Sequence, residues 1–372
     1  MRTIERDLQS IILNKLEPGK IVIISGPEGV GKTQLLHDIS HYYECICYYL
    51  NAEERKVRKF LLSKDVQQYR EQINKKLILL LDDAHLVPNL AEVLQSIMQA
   101  IPNLKIIITT IFKPKLPGLE GVRKDFTLYP LTDGECQQLD LGIEEINHLE
   151  QRLVYGNYPW ILHLMSNLKK QLYLNEIFDI YLLRDILTTG NKNKMKKMIH
   201  LLRLISYLIG QEIFYRELEK KLSMNRQTVE KYLHMLEELS IIHQLKGFKR
   251  KLKKEVSVNS SWYFMDNGLR NAVVGNFNPL ESRDDHEKLW KNYLIAERIK
   301  KQKYHEMEVR NYFWRTYDQQ EIDLVEEMNG HLSGYIFSWD NDKHKIPLAW
   351  RKAYPKSDVQ FITKDNYLEW IH

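Results

Sequence analysis

The chain has 372 residues, 44% of them hydrophobic and 28% charged, with a formal net charge of +5. At that length one hydrophobic core does not suffice, so two to four domains are expected. No run approaches the eighteen or so apolar residues of a membrane span, which excludes a membrane partner from the reading.

The amino terminus lacks the apolar core and small-residue cleavage site of a signal peptide. Three cysteines (Cys45, Cys47, Cys136) form no paired framework, so a reducing, cytoplasmic setting is expected and Cys45 and Cys47 read as packing residues. Basic residues bunch at Lys192, Lys194, Lys196 and Lys197, and again at Lys246, Lys249, Arg250, Lys251, Lys253 and Lys254.

In chain order, 20–25 (KIVIIS) is a short apolar run entering a glycine-rich turn, and 32–43 then has helical spacing. The stretch 45–51 reads as a second strand and 53–62 as a charged helix. Residues 77–81 are wholly apolar, as in a strand buried on both faces of a parallel sheet. Residues 104–109 repeat that character, and 125–129 (DFTLY) predict a last strand. Strands alternating with helices predict an open, mostly parallel α/β sheet.

From 131 to 189 helical spacing dominates, broken at Gly156-Asn157-Tyr158-Pro159. Residues 196–245 carry three helices, the third holding Val229, Tyr232, Leu233, Leu236 and Leu239 on one face. Strands at 241–245 and 262–265 then flank the second basic run. That order is the pattern of a winged helix-turn-helix. The last hundred residues predict a helix at 287–300 and strands at 311–316, 321–328 and 331–339. Asn329-Gly330 joins the last two as a hairpin. A helix at 348–353 and a strand at 359–363 finish the chain.

Gly26-Pro27-Glu28-Gly29-Val30-Gly31-Lys32-Thr33 fits the G-x-x-x-x-G-K-T phosphate loop, with a strand before it and a helix after. Glycines let backbone N–H groups turn toward phosphate oxygens, and the helix terminus adds a favourable dipole. These residues and Gln34 are the expected ATP-binding set. Lys32 is the charge for the β- and γ-phosphates, and the Thr33 hydroxyl suits Mg²⁺. The run 77–81 ends in Asp82-Asp83. Asp82 is the metal-side carboxylate. Asp83 stands where a water-activating glutamate is usual, and either serves that role or caps the next helix.

Thr109 and Thr110 either sense the γ-phosphate or close strand hydrogen bonds. Arg123 either reaches a phosphate, in cis or across an interface, or is a solvated surface arginine. Asn225, Arg226, Gln227, Thr228 and Lys231 can face a major groove with the basic run 246–254 on phosphates, or the module packs against the ATPase and relays its state.

These motifs together resemble prokaryotic AAA-type ATPases near the STAND/archaeal-ATPase group, which carry a winged helix and a C-terminal domain of unknown function. The resemblance covers nearly the whole chain. It rests on GPEGVGKT at 26–33, LLLDDAH at 79–85, TLYPLTDGE at 127–135, YGNYP at 155–159, YLLRDI at 181–186, TVEKYLHMLEE at 228–238, YFMDNGLRN at 263–271 and YFWRTYDQQEIDLVEE at 312–327. It implies a P-loop core at 1–132, a helical lid at 133–190, a winged helix at 191–265 and a restriction-endonuclease-like α/β domain at 266–372.

In that nuclease fold an Asp and a Glu-x-Lys on the next strand converge on a metal. Asp323 matches, but Ile336 and Ser338 stand where Glu and Lys would be, and Lys291 replaces a helix glutamate. Nuclease chemistry is therefore not expected. Glu28-Gly29 also replaces the usual Arg-Arg, and Thr110-Ile111 a Gly-Ser. The expectation is a slow ATP-hydrolysing switch whose C-terminal half binds nucleic acid, a protein partner or a second copy of the chain, with a DNA-binding, DNA-stimulated ATPase or a residual nuclease as the alternatives.

Overall fold

The structure, a computed structural model, describes residues 4–43, 46–73, 76–139, 145–180, 192–250, 259–340 and 345–372. Cys45, the motif at 181–186 and Lys251, Lys253 and Lys254 lie outside these residues. The chain divides into two compact units, 1–129 and 130–372.

In the first unit, α1 (Asp7–Lys15) precedes β1 (Ile21–Ser25), and α2 (Lys32–Tyr43) follows directly on the glycine-rich loop. Then come β2 (Cys47–Asn51), α3 (Arg55–Leu62), α4 (Val66–Ile73), β3 (Ile78–Asp82), α5 (Leu90–Ala100), β4 (Lys105–Thr110) and β5 (Arg123–Thr127). The strands form one parallel sheet in the order β2-β3-β4-β1-β5. Every residue of β1 and β3 is buried, as their near-continuous apolar runs require. Ile21 and Ile23, Leu79 and Leu81, and Ile106 and Ile108 project to one face, where Leu61, Tyr69, Val93 and Ile97 of the helices cover them. Cys47 is buried and free, in keeping with a packing role.

β5 begins two residues earlier than the apolar pattern predicts, because Arg123 and Lys124 pair with Ile21 and Val22 along the sheet edge. Parallel register also brings Ser25 level with Thr110 and with Thr127, and Asn51 level with Asp82. The carboxyl ends of β1, β3 and β4 therefore open on one crevice.

The second unit begins with α6 (Asp133–Gln137), α7 (Glu145–Tyr155) and α8 (Asn167–Ile180). Next are α9 (Lys192–Tyr207), β6 (Glu212–Ile213), α10 (Tyr215–Leu222), α11 (Arg226–Glu238), β7 (Ile242–Gly247) and β8 (Ser260–Phe264). The remainder is α12 (Asn267–Val274), α13 (His286–Tyr304), β9 (Arg310–Arg315), β10 (Glu321–Met328), β11 (His331–Phe337), α14 (Leu348–Ala353), β12 (Asp358–Ile362) and α15 (Tyr367–Ile371). Asn329 and Gly330 both have positive φ, 52° and 81°, as a two-residue hairpin between β10 and β11 demands.

One seven-stranded sheet, β12-β11-β10-β9-β7-β8-β6, crosses the boundary expected at 265/266. β7 pairs in parallel with β9 at its carboxyl end, Lys246 opposite Tyr312 and Gly247 opposite Phe313, so the strand leading into the basic run has that part of its outer edge occupied. Among the described residues no helix is long and apolar enough to cross a membrane.

Candidate functional site

Gly26 follows β1 where a Cβ would lie 2.3 Å from the carbonyl oxygen of Leu128, so only glycine fits. Its N–H donates to the Thr110 carbonyl at 3.1 Å, tying the loop to β4. Gly29 and Gly31 have φ of +76° and +92°, which L side chains resist. Pro27 and Val30 are buried and Glu28 is half-buried. The loop then runs into α2 with Lys32 as its first residue, placing a helix amino terminus under the loop.

Lys32 is only 6% exposed, although the loop itself faces solvent. Its ammonium donates to the carbonyls of Gly26 at 3.0 Å and Pro27 at 2.8 Å, bracing the loop across its mouth. Thr33 and Gln34 are exposed, and Gln34 donates to Asp38 at 2.9 Å. The Thr33 hydroxyl is thus presented at the first turn of the helix, where a metal beside a bound phosphate would need it.

Asp82 ends β3, 1% exposed, held by three donors. The Thr109 hydroxyl donates to Oδ1, the Tyr49 hydroxyl to Oδ2 at 3.0 Å, and the Asp83 N–H to Oδ1 at 3.2 Å. Asp83 N–H also donates to the Thr109 hydroxyl at 2.9 Å. Asp83 has φ +51°, a left-handed conformation that a non-glycine residue adopts at a cost. Its carboxylate makes no cap hydrogen bond to the 3₁₀ turn that follows, so the helix-cap alternative has no bond behind it. Burial, with the Asp82 charge next, pushes its pKa up to about 6, and the Lys32 charge opposes the shift. His85 Nδ1 lies 3.9 Å from Asp83 Oδ1.

Thr110 and Arg123 are engaged elsewhere within the chain. The Thr110 hydroxyl turns away and donates to the Phe112 carbonyl at 2.8 Å. Successive strand residues face opposite sides, and it is Thr109 that meets Asp82. Arg123 is level with Ile21, at the far end of β5, roughly 13 Å along the strand from the crevice. It pairs with Asp125 at 3.6 Å and does not reach the loop within one chain.

Tyr49 and Arg6 escaped the sequence reading, because tertiary folding alone brings them to the site. Arg6 donates to the carbonyls of Val30 and Tyr129, each at 2.7 Å. Tyr49 stacks on His37 and also lines an open groove of about 630 Å³ along β2, bordered by Asn51, Lys56, Lys59, Phe60 and Gln72.

In the second unit the Asp323 carboxylate is closed off. Lys291 donates to Oδ1 at 2.6 Å and the Phe337 N–H to Oδ2 at 2.8 Å. The other acids are engaged as well. Glu321 binds Arg315 and lies 3.7 Å from Lys291, Glu326 holds Arg298 at 2.6 and 2.7 Å, and Glu327 pairs with Arg250 at 2.5 Å. Burial alone would lower the Lys291 pKa, but Asp323 and Glu321 outweigh it and raise it. Among the described residues no group of three or more His, Cys, Asp or Glu is placed to hold a metal.

On α11, Asn225 is spent as a cap, its side chain accepting from the Thr228 N–H at 2.9 Å. Arg226 pairs with Glu230 at 2.7 Å and lies over the Tyr215 ring. Glu230 and Glu238 share the exposed side of the helix with Gln227 and Lys231, leaving a face of mixed charge.

Residues 18–136 match the family model of an AAA domain. Residues 146–280 match a domain of unknown function (DUF8612), and residues 286–364 another (DUF4143). No curated protein matches the chain. Among solved structures, a variant of RuvB from Thermotoga maritima is similar at 14% identity, covering 64% of this chain and 85% of that one, with a TM-score of 0.31. C. elegans PCH-2 is similar at 13% identity, covering 61% and 65%, with a TM-score of 0.29. The parallel sheet and the AAA-domain match support a P-loop AAA-type ATPase in the first part of the chain.

Proposed function

We propose that this chain binds ATP with Mg²⁺ in the loop 26–33, hydrolyses it slowly, and uses residues 130–372 to bind a partner rather than to cut nucleic acid. One observation carries the nucleotide reading: a loop braced by Lys32 and a carboxylate pair, buried Asp82 and half-buried Asp83, lie at the carboxyl ends of β1 and β3 in one parallel sheet. The backbone N–H groups of residues 29–33 and the Lys32 ammonium hold phosphate oxygens. Thr33 and Asp82 would hold the ion, which would supply positive charge against the phosphates.

Thr109 and Tyr49 orient Asp82. Asp83 orients the attacking water, and its short side chain, one methylene less than glutamate, supports slow turnover. With a pKa of about 6 it is ionised at neutral pH and loses its basic form as the pH falls through that value.

For residues 130–372 the order α9, β6, α10, α11, β7, β8 supports a winged helix-turn-helix. The mixed charge on α11 and the occupied edge of β7 favour a protein partner or a second copy over duplex DNA. The closed Asp323 site supports a nuclease-like domain without nuclease chemistry.

The test is steady-state ATP turnover with and without Mg²⁺, with and without duplex DNA. Wild type should turn over only with Mg²⁺, more slowly below pH 6, and without stimulation by DNA. Asp83→Asn should keep ATP affinity and lose turnover. Equal turnover in the variant would return Asp83 to a purely architectural role.

A further inference from the structure

We infer that Arg6 is a positioning residue of the phosphate loop, aiming the Gly31 N–H at the bound phosphates from behind. This rests on the nucleotide reading above. Arg6 lies just ahead of α1, in extended conformation and 5% exposed, and α1 is seated by Leu8 and Ile12, which are 1% and 0% exposed. Its two terminal nitrogens each hold one carbonyl at 2.7 Å, Nη1 that of Val30 and Nη2 that of Tyr129.

The Val30–Gly31 peptide is planar and trans, so its C=O and the N–H of Gly31 point in opposite directions. Val30 is fully buried and so is the guanidinium, whereas Thr33 and Gln34 on the far side are exposed. Pulling the Val30 carbonyl inward therefore turns the Gly31 N–H outward, toward the mouth that Lys32 braces. Gly31, at φ +92°, has no side-chain restraint of its own to choose that orientation.

The second grip gives the first its leverage. Leu128, next to Tyr129, presses its carbonyl against Gly26 at the start of the loop. Arg6 ties the other end, Val30, to Tyr129. Both ends of the loop are thus referenced to one short segment after β5. A lysine here would have to serve both carbonyls from a single nitrogen, without the fixed fork that lets the guanidinium give each its own.

The experiment compares wild type, Arg6→Lys and Arg6→Ala by calorimetric Mg-ATP titration and by KM and kcat, with urea melts of each protein alone. Arg6→Ala should weaken Mg-ATP binding by about tenfold, the scale of one lost charge-assisted hydrogen bond, and raise KM much more than it lowers kcat. Arg6→Lys should fall between the two.

A folded Arg6→Ala that binds Mg-ATP like wild type overturns the inference and leaves Arg6 a structural residue. Where Arg6→Ala does not fold, Arg6→Lys decides: wild-type affinity in a folded Arg6→Lys overturns it equally. Wild type that fails to bind Mg-ATP sinks the nucleotide reading itself, a distinct outcome.

Discussion

Removing the Lys32 ammonium should have two separable effects. In the protein alone, Lys32→Met keeps the hydrocarbon stem and deletes two hydrogen bonds, to Gly26 at 3.0 Å and to Pro27 at 2.8 Å. A hydrogen bond from a charged donor is worth about 1.5–3 kcal/mol. Relief from burying an ammonium that is only 6% exposed offsets part of the two. A net loss of about 1–3 kcal/mol is expected for the unligated first unit.

With nucleotide the second effect appears. At a ligand concentration a hundred times Kd, wild type gains about 2.7 kcal/mol, which corresponds to a melting shift of about 5–11 °C. Lys32→Met should show no such shift. The assay is a thermal melt of both proteins with and without Mg-ATP. No shift in wild type refutes ATP binding at this loop. A retained shift in Lys32→Met refutes Lys32 as the phosphate ligand, and an unchanged melt of the variant alone refutes the bracing role.

Asp133, 1% exposed, accepts from Arg152, Tyr293 and Gln137, and lies 3.4 Å from His372 Nε2. Asp133→Asn strands the buried Arg152 and should cost about 3–5 kcal/mol in a urea melt of the second unit; a loss below about 1 kcal/mol would contradict the cluster's role. The His372 pKa, raised chiefly by its hydrogen bond to Asp133, should fall in the same variant, as read by NMR titration. In wild type the His372 contribution is complete below about pH 6.5 and fades as the pH rises through the raised pKa. Purified protein should leave plasmid, linear duplex and single strands intact with Mg²⁺ or Mn²⁺; cleavage abolished by Asp323→Ala would show a rebuilt metal site.

The parallel sheet was legible because β1, β3 and β4 are apolar runs bounded by turn signals, a pattern that needs no knowledge of neighbours. The loop at 26–33 was legible because its spacing is itself the mechanism. Arg6 lies 24 residues from Val30 and 123 from Tyr129, and Tyr49 lies 33 from Asp82. Nothing local marks either residue. Thr109 and Thr110 differ only in the face they present, and an apolar strand buried on both sides carries no alternation from which to read that face. The two readings of Arg123 could not be separated because β5 is a half-exposed edge strand whose start lies outside its apolar core.

Two motifs of the second unit are architectural when seen in space. YGNYP and YFMDNGLRN are two halves of one joint. Gly156 ends α7 at φ +69°, where a Cβ would meet the Asp266 carboxylate at 2.2 Å, and a Cβ on Gly268 would meet the Tyr155 carbonyl at 2.0 Å. Asp266 accepts from the Asn157 N–H at 2.6 Å while capping α12 through Leu269 at 2.9 Å, and Asn271 donates to the carbonyls of Leu153 and Val154. The Thr132–Glu135 capping box sets the start of α6 and delivers Asp133 to its buried cluster. Asp266 and Asn271 thus satisfy backbone groups across the joint, and Gly156 and Gly268 make room for them. Lys291, with its ammonium 2.6 Å from Asp323, likewise pairs that carboxylate inside the fold. Glu321, Asp323, Glu326 and Glu327 stand close together in the sequence, and each is engaged by a cation of the same unit.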